Sequence, residues 1–65
     1  MLQNSVNLKR KAAGMTQEDL AVQVGVTRQT IISIEKGNYV PSVLLALKIA
    51  QCFTVSIEDV FYEEK

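Results

Sequence analysis

Apolar residues recur every three or four positions along most of this 65-residue chain, and no segment alternates apolar and polar side chains over a sustained stretch. This period is typical of helices that bury one face, whereas half-buried strands have a period of two. We therefore predict an all-α fold, a compact five-helix bundle that forms a single domain over residues 1–65.

The first helix is predicted from about Leu2 to Ala13, with Gly14 as its end. Leu2, Val6 and Ala13 share one stripe at helical spacing. Lys9 falls on the same stripe, and we expect its aliphatic stem to cover the core while its ammonium group reaches water.

The second helix is predicted to begin at Thr16, which can form a capping box with Asp19. Gly25 should end this helix in the left-handed conformation, which a side chain would make costly. Three apolar residues should face inward: Leu20, Ala21 and Val24.

Thr27 is the expected cap of a third helix, and only Val26 separates it from Gly25. This helix is predicted to run to about Lys36, with Gly37 as its end. Two helices joined by so tight a turn form a helix-turn-helix, here over about residues 16–37. The second helix of this motif can enter the major groove of DNA.

Pro41 disfavours helix at Val40, so the fourth helix is expected to begin after a cap at Ser42. One face of it carries Val43, Ala46, Leu47, Ala50 and Phe53, and a second carries Leu45, Ile49 and Cys52. A helix that is apolar on two sides is buried on both or holds a partner.

Ser56 and Asp59 resemble a second capping box and predict a short fifth helix, with Ile57, Val60 and Phe61 as its apolar residues. For the tail over residues 61–65 we predict no defined secondary structure.

The third helix should have a core face with Ile31 and Ile34, and an opposite face with Arg28, Gln29, Ile32 and Ser33. In the major groove, arginine can pair with guanine and glutamine with adenine through two hydrogen bonds each. We predict that the four outer side chains contact base edges. The alternative is an ordinary solvated polar face, and Ile32 could contact either a thymine methyl group or protein.

Six side chains are predicted to bind DNA phosphates: Gln17, Thr27, Thr30, Lys36, Asn38 and Arg10. Gln17 lies at the first turn of the second helix, where free N–H groups and the positive dipole end favour an anion. Its amide could instead pack onto the third helix. Lys36 and the basic residues 9–11 could equally be solvated charges.

The formal net charge is zero, which argues mildly against a nucleic-acid partner. However, residues 1–38 carry five basic and three acidic side chains, and residues 39–65 carry two basic and four acidic ones. Positive charge therefore collects in the half that contains the helix-turn-helix, although an ordinary surface could show the same imbalance.

The composition argues against an enzyme, because no catalytic constellation and no glycine-rich phosphate loop is present. Cys52 is the only cysteine and histidine is absent, so we predict no disulfide, metal or cofactor. We also predict no small-molecule ligand. No apolar run is long enough to cross a bilayer and no signal peptide is visible, so a cytoplasmic location is expected.

With these residues laid out, the chain resembles the Cro/repressor-type helix-turn-helix family, also called the XRE family. The resemblance is strongest over residues 14–21, 25–31, 34–37 and 41–42, and residues 46–50 and 55–56 also fit. It implies a lambda-repressor-like domain that binds double-stranded operator DNA, usually as a homodimer on a roughly palindromic site and most often as a transcriptional repressor. Its phosphate-binding glutamine corresponds to Gln17 and its base-reading positions to Arg28, Gln29 and Ser33, while Asn38 commonly meets phosphate.

Four positions depart from the family pattern: Lys9, Ile32, Leu44 and Thr54. Leu44 takes a usually polar position and could form a dimer patch with Tyr39 and Val40. Thr54 stands where a helix-ending glycine is common. Because a β-branched residue at positive φ is strained, we expect the fourth helix to end differently.

A domain of this size buries limited DNA surface, and symmetric pairing onto two half-sites would add affinity. Five residues are candidates for the dimer interface: Leu44, Leu45, Val60, Phe61 and Tyr62. The alternatives to a repressor are an antitoxin, a restriction-modification controller, or a protein-interaction module that keeps the fold without reading DNA.

Overall fold

The computed structural model describes residues 2–63. In this range the chain forms α1 (Val6–Ala12), α2 (Gln17–Val24), α3 (Arg28–Glu35), α4 (Val43–Cys52) and α5 (Ile57–Val60). The number of helices is therefore as predicted, and α2 to α5 begin directly after their predicted caps.

A small antiparallel sheet joins the two ends of the described chain. Its strands are β1 (Leu2–Asn4) and β2 (Phe61–Glu63), with Leu2 opposite Glu63 and Asn4 opposite Phe61. The prediction that the fold is all-α is wrong in this respect, as is the placement of Leu2 in the first helix. Three-residue strands are too short to display a period of two, so the pattern could not reveal them.

Asn4 marks the change from strand to helix. Its side-chain oxygen accepts a hydrogen bond from the Val6 amide at 3.2 Å, and its side-chain nitrogen donates to the Ile34 carbonyl at 2.9 Å. The backbone amide of Ser5 also donates to the Val60 carbonyl at 2.8 Å. These bonds fix the start of α1 against α3 and α5. At the other end of α1, Ala13 is exposed rather than buried.

The core draws residues from all five helices: Val6, Leu20, Ala21, Val24, Ile31, Ile34, Leu45, Ile49, Ala50 and Val60. Leu45 and Val60 were predicted in a dimer interface, and their burial in this core corrects that assignment. On α4, Val43 and Leu47 are exposed, so only part of its first predicted face is buried.

The helix-turn-helix is held by the predicted local bonds. Thr16 and Asp19 form a reciprocal capping box, with the two bonds at 2.9 and 3.0 Å. Gly25 ends α2 at a φ of +76°. The Thr27 hydroxyl accepts a hydrogen bond from the Thr30 amide at 3.3 Å and so caps α3.

Thr54 adopts a left-handed conformation with a φ of +58°. Its amide donates to the Gln51 carbonyl at 3.0 Å, and the Val55 amide donates to the Ala50 carbonyl at 3.1 Å. This pair of bonds is the Schellman motif that glycine usually completes. The expectation that the fourth helix ends differently is therefore wrong: the two bonds and the packing of Val55 on the core hold Thr54 in a strained backbone state.

Thr54→Gly is expected to stabilise the fold by about 1 kcal/mol. The left-handed conformation costs an L-residue about 1–2 kcal/mol, and glycine removes this cost. Part of the gain is lost because glycine makes the unfolded chain more flexible. The midpoint of thermal unfolding should rise by roughly 4–8 °C, as followed by circular dichroism. Thr54→Ala keeps the Cβ atom and should not reproduce the gain. A lower midpoint for the glycine variant would contradict the assignment of strain.

Candidate nucleic-acid interface

The two faces of α3 are arranged as predicted. Ile31 and Ile34 are buried in the core. Arg28 and Gln29 lie at the first turn of α3 and are exposed, whereas Ile32 and Ser33 are half-buried on the helix surface. The packing of the two isoleucines thus fixes which side chains α3 presents to solvent.

A shallow groove of about 330 Å³ runs beside the outer face of α3. Six residues line it: Thr27, Gln29, Thr30, Ser33, Asn38 and Tyr39. The hydroxyl groups of Thr27 and Thr30 lie 3.1 Å apart and are hydrogen-bonded to each other. They stabilise the start of α3, and phosphate binding by these two threonines stays a prediction.

A second concave surface lies at the start of α2. Its lining includes three cationic residues, Arg10, Lys11 and Arg28, together with Thr16, Gln17 and Glu18. Of these three cationic residues, Lys11 and Arg28 are exposed and Arg10 is buried, and the nearby N-terminal turn of α2 has backbone N–H groups that favour an anion.

Arg10 forms a buried ion pair with Glu35. Its Nε lies 2.8 Å from Glu35 Oε2, its Nη2 donates to Oε1 at 3.3 Å, and its Nη1 donates to the Met15 carbonyl at 2.8 Å. The two side chains are only 9% and 6% exposed. The structure therefore contradicts phosphate binding by Arg10, because its guanidinium group is turned inward and is occupied by protein acceptors.

Glu35 connects three helices, a role that was not predicted. Its Oε1 accepts hydrogen bonds from Asn7 Nδ2 of α1 at 3.0 Å and from Gln17 Nε2 of α2 at 3.2 Å. The predicted alternative for Gln17, packing onto the third helix, is therefore present. A phosphate contact through the remaining hydrogen of this amide stays a prediction, as do the contacts of Lys36 and Asn38, which are both exposed.

The electrostatics of Glu35 follow from these partners. Burial on its own raises the pKa of the carboxyl group, but the hydrogen bonds from Arg10, Asn7 and Gln17 and the charge of Arg10 outweigh it. The pKa of Glu35 therefore lies below its usual value of 4.5. The Thr16 amide and hydroxyl likewise hold the pKa of Asp19 below its usual value of 3.8.

Acid should destabilise the fold. Because the folded pKa values of Glu35 and Asp19 are depressed, their contribution is fully present above about pH 4.5 and is lost as the pH falls through the folded values. Thermal midpoints measured between about pH 7 and pH 3 should therefore drop in acid. The double variant Arg10→Met/Glu35→Leu should show a shallower drop, and an equally steep drop would contradict the role of Glu35.

Residues 2–63 include acidic side chains and Cys52, which are the residue types that could bind a metal ion or act as a nucleophile. No group of three or more histidine, cysteine or acidic side chains in this range could hold a metal ion. Burial raises the pKa of the Cys52 thiol, which disfavours the reactive thiolate. Among the helices of the described range, none has the length and apolarity to span a bilayer.

Comparison with known proteins identifies the same motif. The helix-turn-helix family HTH_3 matches residues 7–60. An HTH-type transcriptional regulator of Bacillus subtilis (strain 168) is 53% identical over 64 residues, covering 98% of this chain and 97% of that protein. One of Methanocaldococcus jannaschii is 54% identical over 63 residues, covering 97% and 96%.

Solved structures share the fold. The restriction-modification controller protein C.AhdI from Aeromonas hydrophila superposes with a TM-score of 0.78 at 28% identity, covering 83% of this chain and 82% of that one. A Bacteroides fragilis protein gives a TM-score of 0.86 at 22% identity over 95% of this chain and all of that one, which supports the fold alone. The chain therefore belongs to the HTH_3 helix-turn-helix family, the Cro/repressor type of DNA-binding transcriptional regulator.

Proposed function

We propose that this protein recognises a specific double-stranded operator by placing the start of α3 in the major groove, and that it represses transcription there as a homodimer. The observation that carries the proposal is the exposure of Arg28 and Gln29 at the first turn of a helix whose back is anchored by Ile31 and Ile34. Helix-turn-helix proteins read bases with this part of the second helix.

The outer side chains of α3 have complementary uses in the groove. Arg28 can donate two hydrogen bonds to O6 and N7 of guanine, and Gln29 can pair with N6 and N7 of adenine. Ile32 supplies an apolar group that fits a thymine methyl, while the hydroxyl of Ser33 discriminates less. Arg28 and Gln29 are adjacent in sequence, so we expect them to contact neighbouring base pairs.

Phosphate contacts would fix the orientation of α3 in the groove. Lys11 and Gln17 line the surface at the start of α2, on one side of Arg28. Lys36 and Asn38 follow the other end of α3 and are exposed. We therefore propose that phosphate contacts flank the two ends of α3. Thr27 and Thr30 would contribute where the DNA strand passes the start of this helix.

Homodimerisation is supported by an apolar surface outside the core. Val40, Val43 and Leu44 follow one another from the loop into the first turn of α4, and each is more than half exposed. Of the predicted interface residues, Leu44 and Tyr62 are exposed and Phe61 is half-buried, so these three remain candidates. A symmetric pair would present two copies of α3 to successive major grooves.

Repression is the simplest consequence of such binding, because a protein that occupies an operator excludes competing proteins without a further contact. A restriction-modification controller is the second candidate. The superposition with C.AhdI, at a TM-score of 0.78, favours it.

Selection of bound sequences from a random duplex pool tests the proposal. We expect enrichment of two inverted half-sites whose centres lie about one helical turn apart, and affinity that falls steeply with salt. A module that keeps the fold without reading DNA would enrich no sequence, and this result would refute the proposal.

Leu44→Asp is expected to abolish dimer formation, because an unpaired carboxylate would be buried in the interface. Sedimentation equilibrium at tens of micromolar should show a dimer for the unmodified protein and a monomer for this variant. Leu8→Asp is a matched control, since Leu8 is 71% exposed on α1 and Leu44 is 64% exposed on α4. A monomeric unmodified protein, or an equal effect of both variants, would contradict the proposed interface.

A further inference from the structure

The groove beside α3 is built from two separate segments. One wall is the outer face of α3, with Gln29 and Ser33, and the other is the loop that follows this helix, with Asn38 and Tyr39. Tyr39 was associated with a dimer patch in the sequence, yet in the structure its side chain lines the same surface as two predicted base-reading residues. The groove surface therefore extends beyond the helix.

The turn after α3 fixes the position of Tyr39. Gly37 adopts a φ of +79° and its amide donates to the Ile34 carbonyl at 3.0 Å, while the Asn38 amide donates to the Ser33 carbonyl at 2.9 Å. These two bonds form a Schellman motif, which reverses the chain beside the last turn of the helix. Tyr39 is the next residue, so its backbone is tied to the end of α3.

Three of the six lining residues, Gln29, Ser33 and Tyr39, are not among the proposed phosphate contacts and are available to base edges. All six lining side chains are uncharged, and those of Thr27 and Thr30 already pair with each other. Tyr39 adds an aromatic ring that is 47% exposed beside this groove and is therefore accessible to an apolar partner. The apolar group that base pairs display in the major groove is the 5-methyl group of thymine.

We infer that Tyr39 is a further specificity-determining residue, and that its ring contacts the 5-methyl group of a thymine next to the base pairs contacted by α3. The inference rests on the proposed operator binding and names one additional feature of the operator. It predicts a half-site longer than α3 alone can read.

Selection from a random duplex pool with Tyr39→Ala and Tyr39→Phe tests this inference. The unmodified protein should prefer thymine at one position flanking those assigned to Arg28, Gln29 and Ser33. Tyr39→Ala should lose the preference at that position alone, and Tyr39→Phe should keep it because the ring makes the contact. Tyr62→Ala is the matched control: Tyr62 is also 47% exposed but lies on β2, and its loss should leave all base preferences unchanged.

A uracil substitution isolates the methyl group. Replacing the preferred thymine by uracil in the selected operator should weaken binding of the unmodified protein about fourfold, the value of one buried methyl group. The same replacement should have no effect on Tyr39→Ala. This result would show that the uracil substitution and Tyr39→Ala remove the same contact, the one between the ring and the methyl group.

Three results would overturn the inference. Identical base preferences for Tyr39→Ala and the unmodified protein would exclude a role in specificity. An equal loss of affinity for all sequences would indicate a phosphate contact, and a change in oligomeric state without a change in preference would place Tyr39 in the dimer interface. If the unmodified protein selects no sequence, the proposed operator binding is refuted. If it selects an operator but Tyr39→Ala has the same base preferences, only the inference about Tyr39 is refuted.

Discussion

Glu35→Leu is expected to destabilise the fold by about 3–5 kcal/mol, because it leaves the buried guanidinium group of Arg10 without its carboxylate partner. A domain of this length has a free energy of unfolding of only about 3–10 kcal/mol, so most of the folded population could be lost. Asn7 and Gln17 would also lose an acceptor that they share on Glu35. Urea unfolding followed by circular dichroism measures the change.

The double variant Arg10→Met/Glu35→Leu separates the cost of an unpaired charge from the value of the pair. Replacement of both charged partners by apolar residues of similar volume is often neutral or stabilising. We therefore expect the double variant to recover most of the stability that Glu35→Leu loses. If the double variant is as unstable as the single one, the hydrogen bonds that Asn7 and Gln17 donate to Glu35 contribute more to stability than the ion pair does.

Arg28→Ala is expected to weaken binding to the selected operator about 5- to 150-fold, the value of one bidentate base contact. The preference for guanine at one position of each half-site should disappear, while binding to random DNA changes much less. Fluorescence anisotropy with operator and random duplexes at equal salt concentration measures both affinities.

Lys48→Ala is the control for the loss of a positive charge. Lys48 is exposed on α4 and lines a surface with Gln23 and Gln51 that contains none of the predicted base-reading residues. Lys48→Ala should change operator affinity by less than about twofold, because Lys48 lines neither of the two surfaces that carry most of the proposed DNA contacts. If Arg28→Ala weakens operator and random DNA by the same factor, Arg28 contacts phosphate and does not read a base.

The helix-turn-helix was predictable because its signals are local. Thr16, Gly25 and Thr27 act on residues within one turn of themselves, and each takes the predicted cap or end position. The spacing of Ile31 and Ile34 then determines the outer face of α3. For these elements, the tertiary structure reinforces what the short-range pattern already favours.

The remaining features depend on contacts between distant residues. The strand pair could not be predicted, because each strand of three residues is stabilised by the opposite end of the described chain. This error also hid Arg10: with Leu2 outside α1, the buried face starts at Val6 and reaches Arg10 one turn later. A basic residue at that spacing from a buried valine was the signal for an internal ion pair, but its partner Glu35 is 25 positions away.

Thr54 shows the limit of an argument from local cost. A β-branched residue at positive φ is expected to be strained, yet Thr54 adopts this conformation, so the expectation that the chain avoids it is wrong. Packing of Val55 against the core and two backbone hydrogen bonds outweigh a cost of about 1–2 kcal/mol.

The pairing of β1 with β2 has a consequence for the order of folding. The contacts between α2 and α3 join neighbours in sequence, so they close short loops and can form early. The β1–β2 ladder joins opposite ends of the described chain and must overcome the entropy of the longest loop. We expect the ladder to form after the rate-limiting barrier, so that mutations in it accelerate unfolding and leave the refolding rate nearly unchanged.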